Sequence, residues 1–267
     1  MKILMLGTGN ALVTKIYNTC FLIQDNNKNN LLVDGGGGNG VLTQIERAGL
    51  GLPDIKNIFV THAHIDHLLG IIWLVRISAQ LMNKNKFPGD LKIFSHDEVI
   101  NLLYDLTKKL LLPYQFDFIG RRIHFEIIND RETRKIFDRD ITFFDIHSTR
   151  TKQFGFSLKL DAEKKLTCCG DEPCNETCEE FVRNSEWLLH EAFCLYSERE
   201  KFSPYEKHHS TVKDTAELAQ RLGVKNLLLY HTEDSHILNR KELYTNEARN
   251  FFDGNIFVPD DLESIEL

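Results

Sequence analysis

The stretch Thr61-His62-Ala63-His64-Ile65-Asp66-His67 places three histidines and one aspartate within six residues. The apolar residues 58–60 directly before it indicate a buried strand, and the apolar residues 68–81 after it predict a helix. A loop between a strand and a helix that carries this many metal-binding side chains predicts a metal site. A polar loop with solvated histidines is the alternative interpretation, and the density of ligands disfavours it.

The spacing within this loop separates the side chains into two pairs. His62 and His64 are two residues apart on extended backbone, so both rings leave the same side and can bind one ion. Asp66 and His67 lie at the start of the helix and point to an adjacent position. Imidazole nitrogen and carboxylate oxygen suit zinc, and two zinc ions about 3.5 to 4 Å apart activate water and stabilise a departing oxygen. The loop therefore predicts half of the ligands of a dinuclear centre.

Composition limits the class of protein. The chain has 267 residues without an evident linker or repeat, which favours one domain spanning residues 1–267. With 42% hydrophobic and 27% charged residues, it is expected to be globular. The net charge of −7 disfavours a broad surface that follows nucleic-acid phosphates. Residues 1–6 are too short for a signal peptide and no apolar run approaches a membrane span, so we expect a cytoplasmic protein without a membrane partner.

The cysteines give a second, weaker metal-binding pattern. Without an export signal, all six are expected to be free thiols. Four fall within eleven residues, namely Cys168, Cys169, Cys174 and Cys178. A structural zinc on these four is the alternative, but the spacing lacks a CxxC pair, so they are left out of the ligand set.

Two glycine-containing turns follow early predicted strands. Gly7-Thr8-Gly9-Asn10 lacks the third glycine that a nucleotide-binding loop requires at position 12, so it predicts a tight turn. Asp34 and the four glycines 35–38 follow a predicted strand at residues 31–33. Asp34 is predicted either to orient a ligating histidine or to belong to a flexible turn.

Single acids and histidines at the ends of later predicted strands can complete the ligand set. His147 follows a strand at 141–146, which we pair with a strand at 123–128 across a charged, solvated hairpin at 130–140. Asp171 follows a strand ending at Cys169, and its two oxygens can bridge both metals. His231 follows the strand 226–230. His147 would complete the first metal and His231 the second.

Two further residues are candidates for acid–base chemistry. Glu191 ends the predicted strand that starts at residue 187. His209 precedes a helix whose start is marked by Thr211 and Asp214, a capping-box pair. Unpaired backbone donors and the helix dipole favour an anion such as phosphate at such a helix start.

The ligand order HxHxDH, His, Asp, His resembles the metallo-β-lactamase superfamily over nearly the whole chain. That resemblance implies an α/β (α+β) fold, the αβ/βα four-layer sandwich of two mixed β-sheets flanked by helices. Within the superfamily the chain is most similar to ribonuclease Z and its relatives. The similar motifs are Leu6-Gly7-Thr8-Gly9, His190-Glu191-Ala192-Phe193, His209-Ser210-Thr211 and Leu227-Leu228-Leu229-Tyr230-His231.

The resemblance implies a role for each of these site residues. One zinc is held by His62, His64, His147 and Asp171, and the other by Asp66, His67, Asp171 and His231, while Glu191 and His209 assist catalysis. Mn²⁺ or Fe²⁺ could occupy the same atoms in place of the two Zn²⁺. The resemblance also implies a homodimer.

The chain departs from the ribonuclease Z pattern in two places. Only 24 positions (171 − 147) separate His147 from Asp171, which leaves no room for the arm that clamps tRNA in that group. After His231 the usual serine, arginine and tyrosine are replaced by Thr232-Glu233-Asp234. We therefore expect no tRNA clamp.

These observations predict a zinc-dependent, ribonuclease Z-like phosphodiesterase whose partner is a phosphodiester substrate such as a nucleotide or an RNA end. A metal-bridging hydroxide held by Asp66 would attack phosphorus, and His209, oriented by Glu191, would protonate the leaving group. A lactonase or thioesterase of the same fold is the nearest alternative. A non-catalytic metal-binding protein is the alternative from another class, and the acid–base pair disfavours it.

Overall fold

A computed structural model describes all residues, Met1–Leu267. The chain forms two compact units. The first comprises Met1–Gly7, Tyr17–Asn129 and Asp261–Leu267, and the second comprises Thr8–Ile16 and Asp130–Asp260. One domain over residues 1–267 stays a prediction.

The first unit contains a mixed seven-stranded sheet in the order β14-β1-β2-β3-β4-β5-β6. Its strands are β1 (Lys2–Gly7), β2 (Cys20–Gln24), β3 (Asn30–Val33), β4 (Ile55–Phe59), β5 (Leu91–Ser95), β6 (Ile123–Ile127) and β14 (Ser264–Glu266). The strands β14, β1, β2 and β3 pair antiparallel, whereas β3 to β6 pair parallel. The parallel strands are buried because helices follow them, as parallel sheets require.

Four helices and one short 3-10 helix belong to the first unit. They are α1 (Gly40–Arg47), the 3-10 helix Leu52–Asp54, α2 (Ile65–Asn83), α3 (Asp97–Leu110) and α4 (Pro113–Phe116). Pro113 begins α4, because proline fits the first helical position, where its missing N–H has no partner to lose.

Helix α2 carries Asp66 and His67 on its first turn and is apolar on nearly all sides. Leu68, Ile71, Leu74 and Val75 are almost fully buried in the core of the first unit. The helix has 19 residues with a mean hydropathy of 1.4, which by length and composition alone is enough to cross a membrane. The expectation that no apolar run reaches this length is therefore wrong. Burial of the helix in the core accounts for its composition.

The second unit contains another mixed seven-stranded sheet, in the order β13-β12-β11-β10-β9-β8-β7. Its strands are β7 (Thr133–Ile136), β8 (Arg139–Asp145), β9 (Phe154–Lys159), β10 (Lys165–Cys168), β11 (Trp187–Glu191), β12 (Asn226–Tyr230) and β13 (Asn255–Phe257). Strands β10 to β13 are parallel, and β7 to β10 are antiparallel.

Helices and short 3-10 helices connect the strands of the second unit. They are α5 (Glu179–Val182), the 3-10 helix Tyr196–Glu198, α6 (Arg199–Phe202), the 3-10 helix Tyr205–Lys207, α7 (Val212–Arg221) and α8 (Arg240–Ala248). The predicted capping box at the start of α7 is confirmed, since the Thr211 and Asp214 side chains bond each other's backbone N–H groups.

The predicted pairing of strands 123–128 and 141–146 is wrong. Strand β6 pairs with β5 in the first sheet, and β8 pairs with β7 and β9 in the second. The charged segment between them forms β7 itself, so the hairpin at this place is β7–β8. Strand pairing depends on contacts between segments that are far apart in the chain, so two strands that are neighbours in sequence need not pair with each other.

Candidate metal centre

The first unit brings together His62, His64, Asp66 and His67, which we call the contiguous half-site. The Nε2 atom of His62 lies 2.8 Å from Nδ1 of His64. The ring centroids of His62 and His67 are 4.3 Å apart, and His67 Nε2 lies 3.4 Å from Asp66 Oδ2. His62, Asp66 and His67 are almost fully buried. The nitrogen and oxygen atoms of one short loop and one helical turn therefore converge.

Asp34 connects the end of β3 to this half-site. Its Oδ2 accepts a hydrogen bond from His67 Nδ1 at 2.7 Å and another from the Thr61 hydroxyl at 2.9 Å, while Oδ1 accepts from Thr61 N–H. A carboxylate on Nδ1 fixes the tautomer and leaves Nε2 as the metal-binding nitrogen. Asp34 thus contacts His67, one of the predicted ligands, while the role of His67 as a metal ligand stays a prediction.

The glycine loop after Asp34 lies against the first turn of α2. Gly35 N–H donates to the His67 carbonyl at 2.8 Å, and Gly70 N–H donates to the Gly36 carbonyl at 2.9 Å. A Cβ atom at Gly70 would overlap the Gly35 carbonyl oxygen. Glycine is required at position 70 because two main chains touch there.

The second unit brings together Asp171, Glu191, His209 and His231, which we call the dispersed half-site. The parallel strands β10, β11 and β12 are in register, so that Cys168 lies opposite Leu189, and Glu191 opposite Tyr230. Their carboxyl ends therefore reach the same edge of the sheet. Asp171 and His231 follow two of these ends, and Glu191 is the last residue of the third.

Asp171 is the central residue of the dispersed half-site. Its Oδ2 lies 3.5 Å from His231 Nε2, and its Oδ1 accepts a hydrogen bond from Gln153 Nε2 at 2.8 Å. Both Asp171 and His231 are almost completely buried. His231 has a positive φ of 59°, which turns the chain sharply after β12. The two carboxylate oxygens thus face different neighbours.

His209 contacts Asp171 through the main chain. Its Nδ1 donates to the Asp171 carbonyl at 2.8 Å, and its ring stacks on Phe193 at a centroid distance of 4.8 Å. The carboxylate of Glu191 lies farther away, 3.7 Å from the same Nδ1. The hydrogen bond that orients His209 is therefore made by the Asp171 carbonyl, and the Glu191 carboxyl group lies nearby.

Glu191 is completely buried at the end of β11. One of its oxygens accepts a short hydrogen bond from Ser210 N–H, and Oε2 makes no hydrogen bond with protein atoms. Burial raises the pKa of Glu191 well above its ordinary value, because a lone carboxylate loses its hydration there. Glu191 therefore fixes the segment of His209 and Ser210 through the backbone.

His147 differs from the other predicted ligands. It follows β8 with a φ of 54°, its N–H donates to the Asp145 carboxylate at 2.7 Å, and its side chain is exposed. Its ring makes no hydrogen bond or ion pair within the second unit. Its assignment as a metal ligand stays a prediction.

The four neighbouring cysteines contact different groups. Cys168 contacts the Tyr230 hydroxyl at 3.4 Å, whereas the thiols of Cys174 and Cys178 contact Asn175, each at 3.6 Å. All six cysteines of the chain are free, as predicted. The hydrogen bond to Cys169 raises the pKa of Cys174, so its thiol stays protonated at neutral pH.

Two residues of the site had no signal in the sequence. The Thr61 side chain bonds both Asp34 and His62 Nδ1, the latter at 2.8 Å. Gln153 bonds Asp171 from 18 positions away. The position of Thr61 inside the metal motif could have marked it, but nothing in the sequence marks Gln153.

Residues 1–250 match the family model described as anti-Pycsar protein Apyc1. The chain belongs to the Apyc1 family. Among curated relatives, this Apyc1-family chain is 25% identical to ribonuclease Z of Archaeoglobus fulgidus, with 100% of this chain and 97% of the relative covered. It is 27% identical to ribonuclease Z of Pyrococcus abyssi, over 73% of this chain and 74% of the relative.

Solved structures share the fold of this Apyc1-family chain. The metallo-β-lactamase fold protein YhfI from Bacillus subtilis has a TM-score of 0.79 at 17% identity and covers 99% of this chain and 98% of its own. The short form of human tRNase Z has a TM-score of 0.73 at 18% identity, covering 100% and 99%. Zn²⁺-bound PqqB from Methylobacterium extorquens has a TM-score of 0.75 at 12% identity, covering 100% of both chains. The predicted metallo-β-lactamase fold is confirmed.

The Apyc1-family chain is thus a metal-dependent hydrolase of the metallo-β-lactamase superfamily, with ribonuclease Z among its relatives, as predicted. The donor atoms present fit a metal cofactor. His62, His67 and His231 offer imidazole nitrogens, and Asp66 and Asp171 offer carboxylate oxygens, all of them nearly fully buried. Buried carboxylates are costly unless a cation or hydrogen bonds compensate them.

Proposed function

We propose that the protein is a dinuclear zinc phosphodiesterase. Seven residues supply the ligands: His62, His64, Asp66, His67, His147, Asp171 and His231. Their donor types suit zinc, and Mn²⁺ or Fe²⁺ would fit the same atoms. The order of these ligands along the chain and the resemblance to ribonuclease Z support the assignment.

The observation that carries the proposal lies in the dispersed half-site. The Asp171 carboxylate faces His231, and the Asp171 carbonyl holds His209 at 2.8 Å. One residue therefore links a metal ligand to a candidate proton donor. Hydrolysis needs both an activated water and a protonated leaving group. A metal ligand that also holds an imidazole in place places these two functions side by side.

When bound, two zinc ions would lower the pKa of water toward about 7 and stabilise charge on the phosphoryl oxygens. The side chains of the protein would orient the water and supply the proton. Asp66 accepts a hydrogen bond from the attacking water and orients it. His209 uses Nδ1 to hold the Asp171 carbonyl, so Nε2 delivers the proton to the leaving oxygen. The stacked ring of Phe193 and the buried Glu191 limit the movement of His209.

The segment between His147 and Asp171 favours a small substrate. Strands β9 and β10 occupy it as an antiparallel pair that a short turn joins. No arm for binding tRNA is expected from this segment. A nucleotide with a phosphodiester bond, or the end of an RNA strand, fits a site of this kind better than a folded tRNA does.

Parallel hydrolysis assays test the proposal. Protein loaded with zinc would be assayed with bis-p-nitrophenyl phosphate, a lactone and a thioester, and its metal content would be measured on the same sample. We expect two zinc ions per chain and turnover of the phosphodiester far above that of the other esters. Preferred cleavage of the lactone or thioester would replace the phosphodiesterase assignment, and zinc binding without any hydrolysis would indicate a binding protein.

A further inference from the structure

Gln153 lies between the chain segments that carry His147 and Asp171, and it is completely buried. Its carbonyl accepts a hydrogen bond from Ile146 N–H at 3.0 Å, directly before His147. Its side-chain amide donates to Asp171 Oδ1 at 2.8 Å. One residue therefore sets the position of two segments with predicted metal ligands.

The hydrogen bond from Gln153 makes the two oxygens of Asp171 unequal. Oδ1 accepts the amide N–H, whereas Oδ2 faces His231 Nε2 at 3.5 Å. A neutral donor orients a carboxylate without cancelling its charge, so the charge remains for a cation. A lysine or arginine in this place would neutralise that charge.

The amide is held in place at a cost in stability. A Cβ atom at Gly170, whose φ is 78°, would overlap Gln153 Nε2, so the glycine next to Asp171 makes room for the amide. The other amide atom, Oε1, is buried and has no hydrogen-bond partner among the protein atoms. A buried polar atom without a partner lowers stability, so Oε1 itself does not contribute to folding.

We propose that Gln153 is a positioning residue that orients the Asp171 carboxylate for metal binding. This inference rests on the proposed metal centre, in which Asp171 binds both ions. Hydrogen bonds to a ligating side chain from its neighbours raise metal affinity by holding the ligand in the binding orientation.

The test compares Gln153→Leu with the wild type. Zinc affinity is measured by competition with a chromophoric chelator, and thermal unfolding is followed on metal-free protein. We expect zinc affinity to fall about 10- to 100-fold, because the orienting donor is lost. The unfolding midpoint of the metal-free variant should change little, because removal of the unpartnered Oε1 offsets the donor that the buried Asp171 Oδ1 loses.

Gln115 provides a matched control, since it is also a buried glutamine. Its Oε1 accepts a hydrogen bond from Leu112 N–H at 3.0 Å at the start of α4. Gln115→Leu should lower the unfolding midpoint and leave zinc affinity unchanged. The two substitutions thus have opposite expected effects on the two measurements.

Three results would overturn the inference. Wild-type zinc affinity in Gln153→Leu would show that the amide does not position Asp171, while the proposed function would stand. Loss of stability together with affinity would show a structural role. A wild-type protein that binds no zinc would remove the proposed function as well. If Gln153→Leu does not fold, Gln153→Met, which also lacks a donor, gives the same readout.

Discussion

The two half-sites are built in different ways. The contiguous half-site takes His62, His64, Asp66 and His67 from one loop and one helical turn, so its geometry follows from local sequence. The dispersed half-site takes its residues from segments up to 60 positions apart (231 − 171), and the register of β10, β11 and β12 brings them to one sheet edge. The first can be identified by spacing alone. The residues of the second were found from predicted strand ends and from the resemblance to a known family, because spacing alone does not show which strands pair.

The strongest test of this comparison removes the central residue of the dispersed half-site. If Asp171 is the shared ligand that we propose, Asp171→Ala should lower turnover of a phosphodiester by roughly three orders of magnitude or more, as loss of several kcal/mol of stabilisation requires. Elemental analysis should show loss of both zinc ions. Retention of one ion would show that the contiguous half-site binds metal independently.

A second test asks whether His209 belongs to the chemistry or to metal binding. His209→Ala should lower turnover by about two to four orders of magnitude, because proton donation to the leaving group is lost. Zinc content should stay at the wild-type value, measured on the same sample. A parallel loss of zinc and activity would instead make His209 a ligand.

The support of the contiguous half-site can be tested at Asp34. Asp34→Asn removes the charge that orients His67 and should weaken zinc binding about 10- to 100-fold. Turnover at saturating zinc should recover, because no group that contacts the substrate has changed. Chelator competition and a zinc titration of activity measure the two effects. Unchanged affinity would mean that the glycine loop alone positions His67.

An effect on stability alone is expected at His190, which lies beside Glu191 in the dispersed half-site. Burial lowers the pKa of His190 from 6.5 to about 4. His190 is therefore protonated below about pH 6.5 in the unfolded chain, but only below about pH 4 in the folded chain. Stability is fully present above pH 6.5 and should fall by about 3 kcal/mol as the pH drops to 4.

The matched variant for this prediction is His190→Gln, which has no titrating ring. The difference in unfolding free energy between wild type and variant, from urea titrations at several pH values, should shrink as the pH falls from 6.5 to 4. A difference that does not depend on pH would show that His190 does not carry the acid sensitivity.

The sequence predicted what depends on local spacing. The motif at residues 61–67, the helix that follows it and the capping box at Thr211 all appear as expected. Asp34 was predicted either to orient a histidine or to belong to a flexible turn, and its contact with His67 favours the first of these. These predictions needed only neighbours within one or two elements.

What depends on distant contacts was predicted less well. The predicted pairing of β6 with β8 was wrong, because strand pairing depends on segments that are far apart in the chain. Gln153 was missed because its contact with Asp171 depends on the turn at Gly170. His209 was assigned to Glu191, whereas its hydrogen bond goes to a carbonyl, and carbonyls carry no sequence signal.

The contact of Gly70 with Gly35 has a consequence for how this chain tolerates change. Main-chain hydrogen bonds join the helical turn of Asp66 and His67 to the glycine loop beside it, so the position of this turn depends on the close approach of two backbones. One added methyl group at position 70 would overlap the Gly35 carbonyl oxygen and push the glycine loop away from helix α2. A single carbon atom there would then misalign cation-binding groups that it never touches.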